Sequence, residues 1–274
     1  MRLYRTADAW VLEEQDTFCV LADFDFDGWL GGEDPAGELR RKVAGVKGSS
    51  IGAPGSLRIP LGSQEIWAAG VTYQRSKVAR MEESQNAKSA YDLVYDALRP
   101  EIFFKATISR TRATGQAITL RSDTKWIVPE PELALVLSSR GKIVGYTIGN
   151  DMSCRDIEGE NLLYLPQAKT WDGCCALGPC ILIAEEGQDI RARLIGISIQ
   201  RGGAEVFSGS VQIAQIKRSF EELAGWLFRD QSFPAGAVLL TGTGIVPPNE
   251  FSLRSGDGVR IEIEGVGVLE NEVG

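Results

Sequence analysis

Glu130 and Glu132 stand two residues apart in Pro129-Glu-Pro-Glu132, and Asp151 closes a second apolar run downstream. In an extended strand, residues at i and i+2 project from one face. The chain then reads Leu133-Ala-Leu-Val-Leu137, Ser138-Ser-Arg-Gly-Lys142 and Ile143-Val-Gly-Tyr-Thr-Ile148. Two apolar runs around a polar, glycine-containing turn predict a β-hairpin. With Arg140-Gly141 at the turn, Glu130 faces Asp151, so three carboxylates converge. Clustered carboxylates repel and need a cation to stay ionised together. An all-oxygen set favours a hard ion, Mg²⁺ first and Mn²⁺ or Ca²⁺ as alternatives, over zinc. The competing reading is a surface hairpin with exposed acids. Glu-x-Glu alone is common; the facing Asp151 separates the two readings.

The sequence has no histidine. That removes the Ser-His-Asp triad, the Cys-His pair, the HExxH zinc site and any imidazole base. Chemistry falls to carboxylates, lysine, tyrosine, cysteine, hydroxyls or a metal. Cys19, Cys154, Cys174, Cys175 and Cys180 form no paired CxxC motifs, and are expected to be small buried hydrophobes. A net charge of -8 argues against nucleic acid as a partner. The basic stretch from Arg99 to Lys125 either attracts an anionic substrate or is a solvated face. No apolar run approaches the ~20 residues of a membrane span, and Met1-Arg-Leu-Tyr-Arg5 is no secretory h-region. A cytoplasmic location with no membrane partner is expected.

These side chains need a scaffold. The 274 residues divide into a small N-terminal α/β unit over 1–55 and a larger domain over 56–274. Strands are predicted near 9–12 and 17–21, turns at Asp27-Gly28 and Gly31-Gly32, and a short helix over 38–46. In the larger unit a strand covers 65–71, and one long helix covers 76–98, ended by Arg99-Pro100. Short strands follow near 101–104, 126–128, 132–137, 143–148, 181–184, 195–200, 237–241 and 259–263, with helical signal at 213–227. Many strands and few helices predict an α+β, predominantly β architecture.

Glu130-Pro-Glu132-Leu-Ala-Leu, Gly145-Tyr-Thr-Ile-Gly-Asn-Asp151-Met-Ser-Cys-Arg155-Asp156, Lys169-Thr-Trp-Asp172 with Gly178-Pro179, and Leu240-Thr-Gly-Thr243-Gly244 together resemble the fumarylacetoacetate hydrolase (FAH) superfamily. The order holds across roughly residues 65 to 272. Within it, Pro-Glu-Pro-Glu, Arg155-Asp-Ile-Glu-Gly-Glu-Asn161, Leu165-Pro-Gln-Ala-Lys169 and Pro100-Glu-Ile-Phe-Phe-Lys105 are most similar to the 2-keto-3-deoxy sugar acid dehydratase branch. The resemblance implies a mixed β-sandwich roll, a homodimer or homotetramer, and a metal triad on Glu130, Glu132 and Asp151. It also implies an active-site lysine at Lys169 and a carboxylate at Glu101. Hydrolases and decarboxylases of this superfamily commonly use a lid histidine, which this chain lacks, so the dehydratase branch is favoured.

The expected reaction is Mg²⁺-dependent dehydration of a small 2-oxo acid, a 2-keto-3-deoxypentonate or similar, to a dioxo acid. Lys169 takes the C3 proton, which requires its pKa to be lowered, and Glu101 protonates the departing C4 hydroxyl. Thr243 either binds the substrate carboxylate or simply builds a tight turn. Arg155 either binds carboxylate or joins Asp156 in a structural network. Thr72 and Tyr73 line the pocket, and the helix after them either closes over it or only packs. Two alternatives stay open: a C–C bond hydrolase or 2-oxo acid decarboxylase working without histidine, and a non-catalytic ligand-binding member of the fold.

Overall fold

Leu133 to Leu137 is a continuous apolar run, and such a run needs cover on both faces of its sheet. In the computed structural model, which describes residues 1–45, 50–83 and 88–274, Pro131–Leu137 is buried throughout. Leu133, Leu135 and Leu137 enter one core; Ala134 and Val136 enter another. The first core lies against a four-stranded antiparallel sheet of Ala204–Gln212, Leu194–Arg201, Gly258–Ile263 and Gly267–Glu272. That sheet contributes Ile195, Ile197, Ile199, Ile261 and Ile263. The second core is closed by Trp10, Phe26, Trp29, Leu30 and Leu39. Layered sheets with few helices match the expected mixed, mainly β architecture.

The large sheet has eleven strands among the described residues. Its path runs Ser50–Ile51, Thr17–Leu21, Trp10–Glu14, Arg2–Arg5, Cys175–Ile183, Ile143–Asp151, Pro131–Leu137, Ala237–Leu240, Glu65–Gly70 and Glu101–Ala106. Thr111–Arg112 joins Cys175–Ile183 off this path, in parallel. The N-terminal strands thus continue the sheet, with Arg2 paired to Leu182 and Leu3 to Ile181. The hairpin has the expected register: Glu132 pairs with Gly149 and Pro131 with Asn150. The Asp151 N–H donates to the Glu130 carbonyl at 2.9 Å. A shift between Ile143 and Gly145 takes up the irregularity near the turn.

The helices depart further from expectation. The single helix over 76–98 is two, Gln74–Glu83 and Lys88–Asp96, with 84–87 outside the described residues. Lys77 reaches Asp92 at 2.7 Å and Asp96 at 3.7 Å, so the two pack side by side. Folding back packs the partly buried Met81, Val94 and Tyr95 against Val71, which one straight rod could not do. Asp27-Gly28 is not a turn but the first turn of Phe26–Gly31, capped by the Asp25 carboxylate on the Gly28 N–H. The expected 38–46 helix is Pro35–Gly45, and residue 46 lies outside the described residues. The 213–227 signal splits into a 3-10 turn, Ile213–Gln215, and the helix Phe220–Leu227. Ser219 caps the latter by accepting the Glu222 N–H at 3.0 Å. Ser219→Ala should cost about 1 kcal/mol, read as a lower urea midpoint at unchanged slope; an unchanged midpoint would show the cap is idle.

Candidate metal centre and catalytic cleft

The hairpin delivers what its spacing promised. One carboxylate oxygen from each of Glu130, Glu132 and Asp151 lies within 4.8 Å of the others, and all three residues are buried. Glu132 is at the start of one strand, Glu130 immediately precedes it and Asp151 ends its neighbour, so backbone pairing fixes their separation. These residues line a cleft with Gly70, Val71, Ser76, Glu101, Phe103, Glu158, Lys169, Gly242 and Thr243.

Three cations from elsewhere in the chain stand among the carboxylates. Lys169 Nζ donates to Glu130 Oε2 at 2.9 Å, Ser153 Oγ at 2.6 Å and Asp151 Oδ2 at 3.4 Å. Arg155 Nη2 pairs with Glu130 Oε1 at 2.7 Å. Lys105 is 0% exposed, with Nζ 2.6 Å from Asp151 Oδ1. It also donates to the Met152 carbonyl at 2.8 Å and to the Lys169 carbonyl. Burial opposes the Lys105 charge, but Asp151 overcomes it and holds the ammonium above its usual pKa. Glu130 and Asp151 are therefore balanced from within the protein.

Glu132 is different. Its Oε2 accepts the Gly242 N–H at 2.6 Å. Burial, then Asp151 and Glu130, push its carboxyl well above the usual range, with Lys169 and the Gly242 N–H opposing. A divalent cation would offset that repulsion. An all-oxygen donor set of this size fits a hard ion such as Mg²⁺. Gly242 itself is dictated by this contact. It adopts φ +90°, and an added Cβ would sit 2.1 Å from Thr72 Oγ1.

Lys169 ends a short helix, Leu165–Lys169, with Pro166 in its first turn. Glu101 opens the strand Glu101–Ala106 and pairs with Gly70. A Cβ at Gly70 would lie 2.0 Å from Glu101 Oε2, so glycine leaves room for that carboxylate. Gly70→Ala should turn Glu101 away and cut kcat about 10²-fold with little change in melting temperature. Unchanged kcat would remove Glu101 from the chemistry.

Of the other candidates, Thr243 is on the cleft wall, its hydroxyl accepting the Ile245 N–H at 3.2 Å. Thr72 and Tyr73 do not line it. Thr72 Oγ1 donates to the Thr241 carbonyl at 2.6 Å, and Tyr73 packs in the first core. Their neighbours Val71 and Ser76 reach the cleft instead. Val71 has φ +51°, which is rare for a β-branched residue. Asp156 accepts from Thr124 and from the Lys125 N–H, while Arg155 turns to Glu130. The basic stretch disperses: Arg99 lies over Trp226, Arg110 faces Asp172, Arg121 pairs with Asp123, and only Lys105 enters the centre. Lys105, Ser153, Glu158 and Gly242 lie inside the family-like segments of the sequence, but residue type and spacing assigned none of them a place in the site.

The fumarylacetoacetate (FAA) hydrolase C-terminal family model matches residues 65–274. A probable 2-keto-3-deoxyxylonate dehydratase of Haloferax volcanii is 51% identical over 78% of this chain and 74% of that protein. The 2-dehydro-3-deoxy-D-arabinonate dehydratase of Saccharolobus solfataricus is 46% identical over 77% of this chain and 72% of its own length. A solved 2-keto-3-deoxy-D-arabinonate dehydratase, complexed with magnesium and 2,5-dioxopentanoate, superposes with a TM-score of 0.85 at 36% identity, covering 100% of this chain and 98% of that one. Sequence and structure agree that the chain belongs to the fumarylacetoacetate hydrolase family.

Proposed function

We propose that this enzyme dehydrates a 2-keto-3-deoxypentonate to a dioxo acid, with Mg²⁺ held by Glu130, Glu132 and Asp151. One observation carries the reading: three buried carboxylate oxygens within 4.8 Å of one another share a cleft with Lys169 and Glu101. The named activities of relatives 51% and 46% identical support it, as does the magnesium and dioxo acid in a structural neighbour. When bound, a hard divalent ion polarises the C2 carbonyl and makes the C3 proton more acidic. Lys169 is the base. A metal held by Glu130 and Asp151 would compete with Lys169 for their oxygens, which lie 2.9 and 3.4 Å from its Nζ. Glu101 protonates the departing C4 hydroxyl, and Thr243 offers its hydroxyl to the substrate carboxylate. Arg155 and Lys105 hold Glu130 and Asp151 in place from behind.

The absence of histidine disfavours the hydrolase and decarboxylase alternatives. The test is to assay 2-keto-3-deoxypentonates, acylpyruvates and oxaloacetate with and without Mg²⁺. Mg²⁺-dependent loss of water from the first class alone is expected; turnover of either other class in its place would reject the assignment. We infer further that the protein is cytoplasmic and a homodimer or homotetramer. Four buried free thiols suit a reducing compartment. Among the described residues, no helix is long and apolar enough to cross a membrane. Exposed apolar side chains such as Leu163, 83% exposed, suit burial between copies.

A further inference from the structure

Dehydration alone does not yield a 2,5-dioxo acid. Losing water across C3 and C4 of a 2-keto-3-deoxypentonate leaves a 3,4-alkene conjugated to the C2 ketone, with an alcohol still at C5. The dioxo product has the same formula, but an aldehyde at C5 and methylenes at C3 and C4. Conversion removes one proton from C5 and one from O5, and adds one at C3 and one at C4. No oxidant or reductant is needed, but something must move protons at the end of the substrate far from the keto acid.

Lys169 is committed to the keto-acid end, its Nζ lying within 3.4 Å of the metal-holding Glu130 and Asp151 and 2.6 Å from Ser153. Glu101 lines the cleft from the sheet wall. Glu158 lines the same cleft from a helix rather than a strand and is 5% exposed. It lies outside the three-oxygen group. Its helix, Arg155–Glu160, shows why. Arg155 turns inward to Glu130, and Glu158 stands one turn on, its Cβ about 5–6 Å from that of Arg155. That step carries the second carboxyl away from the inner cluster while keeping it on the wall.

Resting on the dehydratase reading, we propose that Glu158 is a second acid–base carboxylate serving the C5 end of the substrate. As carboxylate it takes a proton from C5. The C5–H bonding pair becomes the C4–C5 double bond, the former alkene pair takes up a proton at C3 from the Glu158 carboxyl, and a 4,5-enol remains. Glu158 then accepts the enol O–H proton and returns it to C4, which leaves the aldehyde. Each step is a 1,3-proton shift, within the span of a single two-oxygen carboxylate, and each regenerates Glu158.

The test follows Glu158→Gln with a 2-keto-3-deoxypentonate and Mg²⁺ by proton NMR, which separates vinyl from aldehyde signals, alongside Mg²⁺ calorimetry. Water loss should stay within about tenfold of the unaltered enzyme while aldehyde formation falls at least about 100-fold and vinyl signals accumulate. Mg²⁺ affinity should not change, and Glu158→Asp should restore part of the aldehyde rate. Aldehyde forming at the original rate in Glu158→Gln overturns the proposal. So does joint loss of water release and aldehyde in both folded variants. If the unaltered enzyme releases no water from this substrate, the dehydratase reading itself fails, a distinct result.

Discussion

Lys169→Met should lower kcat by about 10²–10⁴-fold, while Mg²⁺ binding should be kept or tightened. The rate loss is that expected when a positioned base is removed from proton abstraction. Metal binding should survive because Lys169 competes for the carboxylate oxygens: its ammonium lies 2.9 Å from Glu130 and 3.4 Å from Asp151. Removing a like charge from beside a cation site favours the cation. The fold should survive too, since Arg155 and Lys105 still neutralise Glu130 and Asp151. Steady-state rates and calorimetry on one preparation decide the matter. Retained turnover would reject Lys169 as the base, and lost Mg²⁺ binding would make it a structural brace.

Glu132→Gln should lose Mg²⁺ binding and activity together, yet leave the metal-free protein as stable as before or more so. Glu132 is the carboxylate whose pKa the site raises, chiefly through burial and then through Asp151 and Glu130. A carboxyl that holds its proton more tightly in the folded than in the unfolded chain stabilises the fold at low pH. That contribution is complete below the usual carboxylate range and is lost as pH rises toward the raised value. Metal-free protein should therefore weaken with rising pH through this window, and Glu132→Gln should flatten that slope. For the same reason Mg²⁺ uptake should release a proton and tighten as pH rises. Thermal unfolding in chelator across the window, together with calorimetry in buffers of different ionisation heat, checks both. A pH slope identical in the variant would exclude Glu132 as its source. Asp151→Asn is a poorer probe, because it strands the buried Lys105 ammonium at a cost of about 3–5 kcal/mol.

The hairpin was readable because a two-residue period is a local property: once Arg140-Gly141 is placed at the turn, facing positions follow. The charge argument drawn from it was incomplete. Three adjacent carboxylates seemed to demand a metal, but Lys105, Arg155 and Lys169 supply positive charge from a separate strand and two short helices. Those helices, Arg155–Glu160 and Leu165–Lys169, are too brief to show a 3.6-residue period, so periodicity could not aim Glu158 at the cleft although it lies in a family-like segment. Lys105 sits in Glu-Ile-Phe-Phe-Lys-Ala, where nothing local separates a solvated lysine from one that is 0% exposed. The 76–98 segment misled for a related reason. Amphipathic spacing is the same in one rod and in two antiparallel pieces, and tertiary contacts with Val71 choose between them.

Arg2–Arg5 hydrogen-bonds to the outer side of Cys175–Ile183, whose inner side carries the strand that ends in Asp151. A shortened version starting near residue 56 would keep Thr111–Arg112 beside Cys175 and Ala176 but expose the outer side of Ile181 and Leu182. Its amide and carbonyl groups would lie open to pairing with any other chain, and Ile181 and Ile183 would lose the packing of Leu3 and Trp10. Although the family match begins at residue 65, the opening strands cover a length of sheet edge beside the catalytic β-structure that would otherwise be open to pairing.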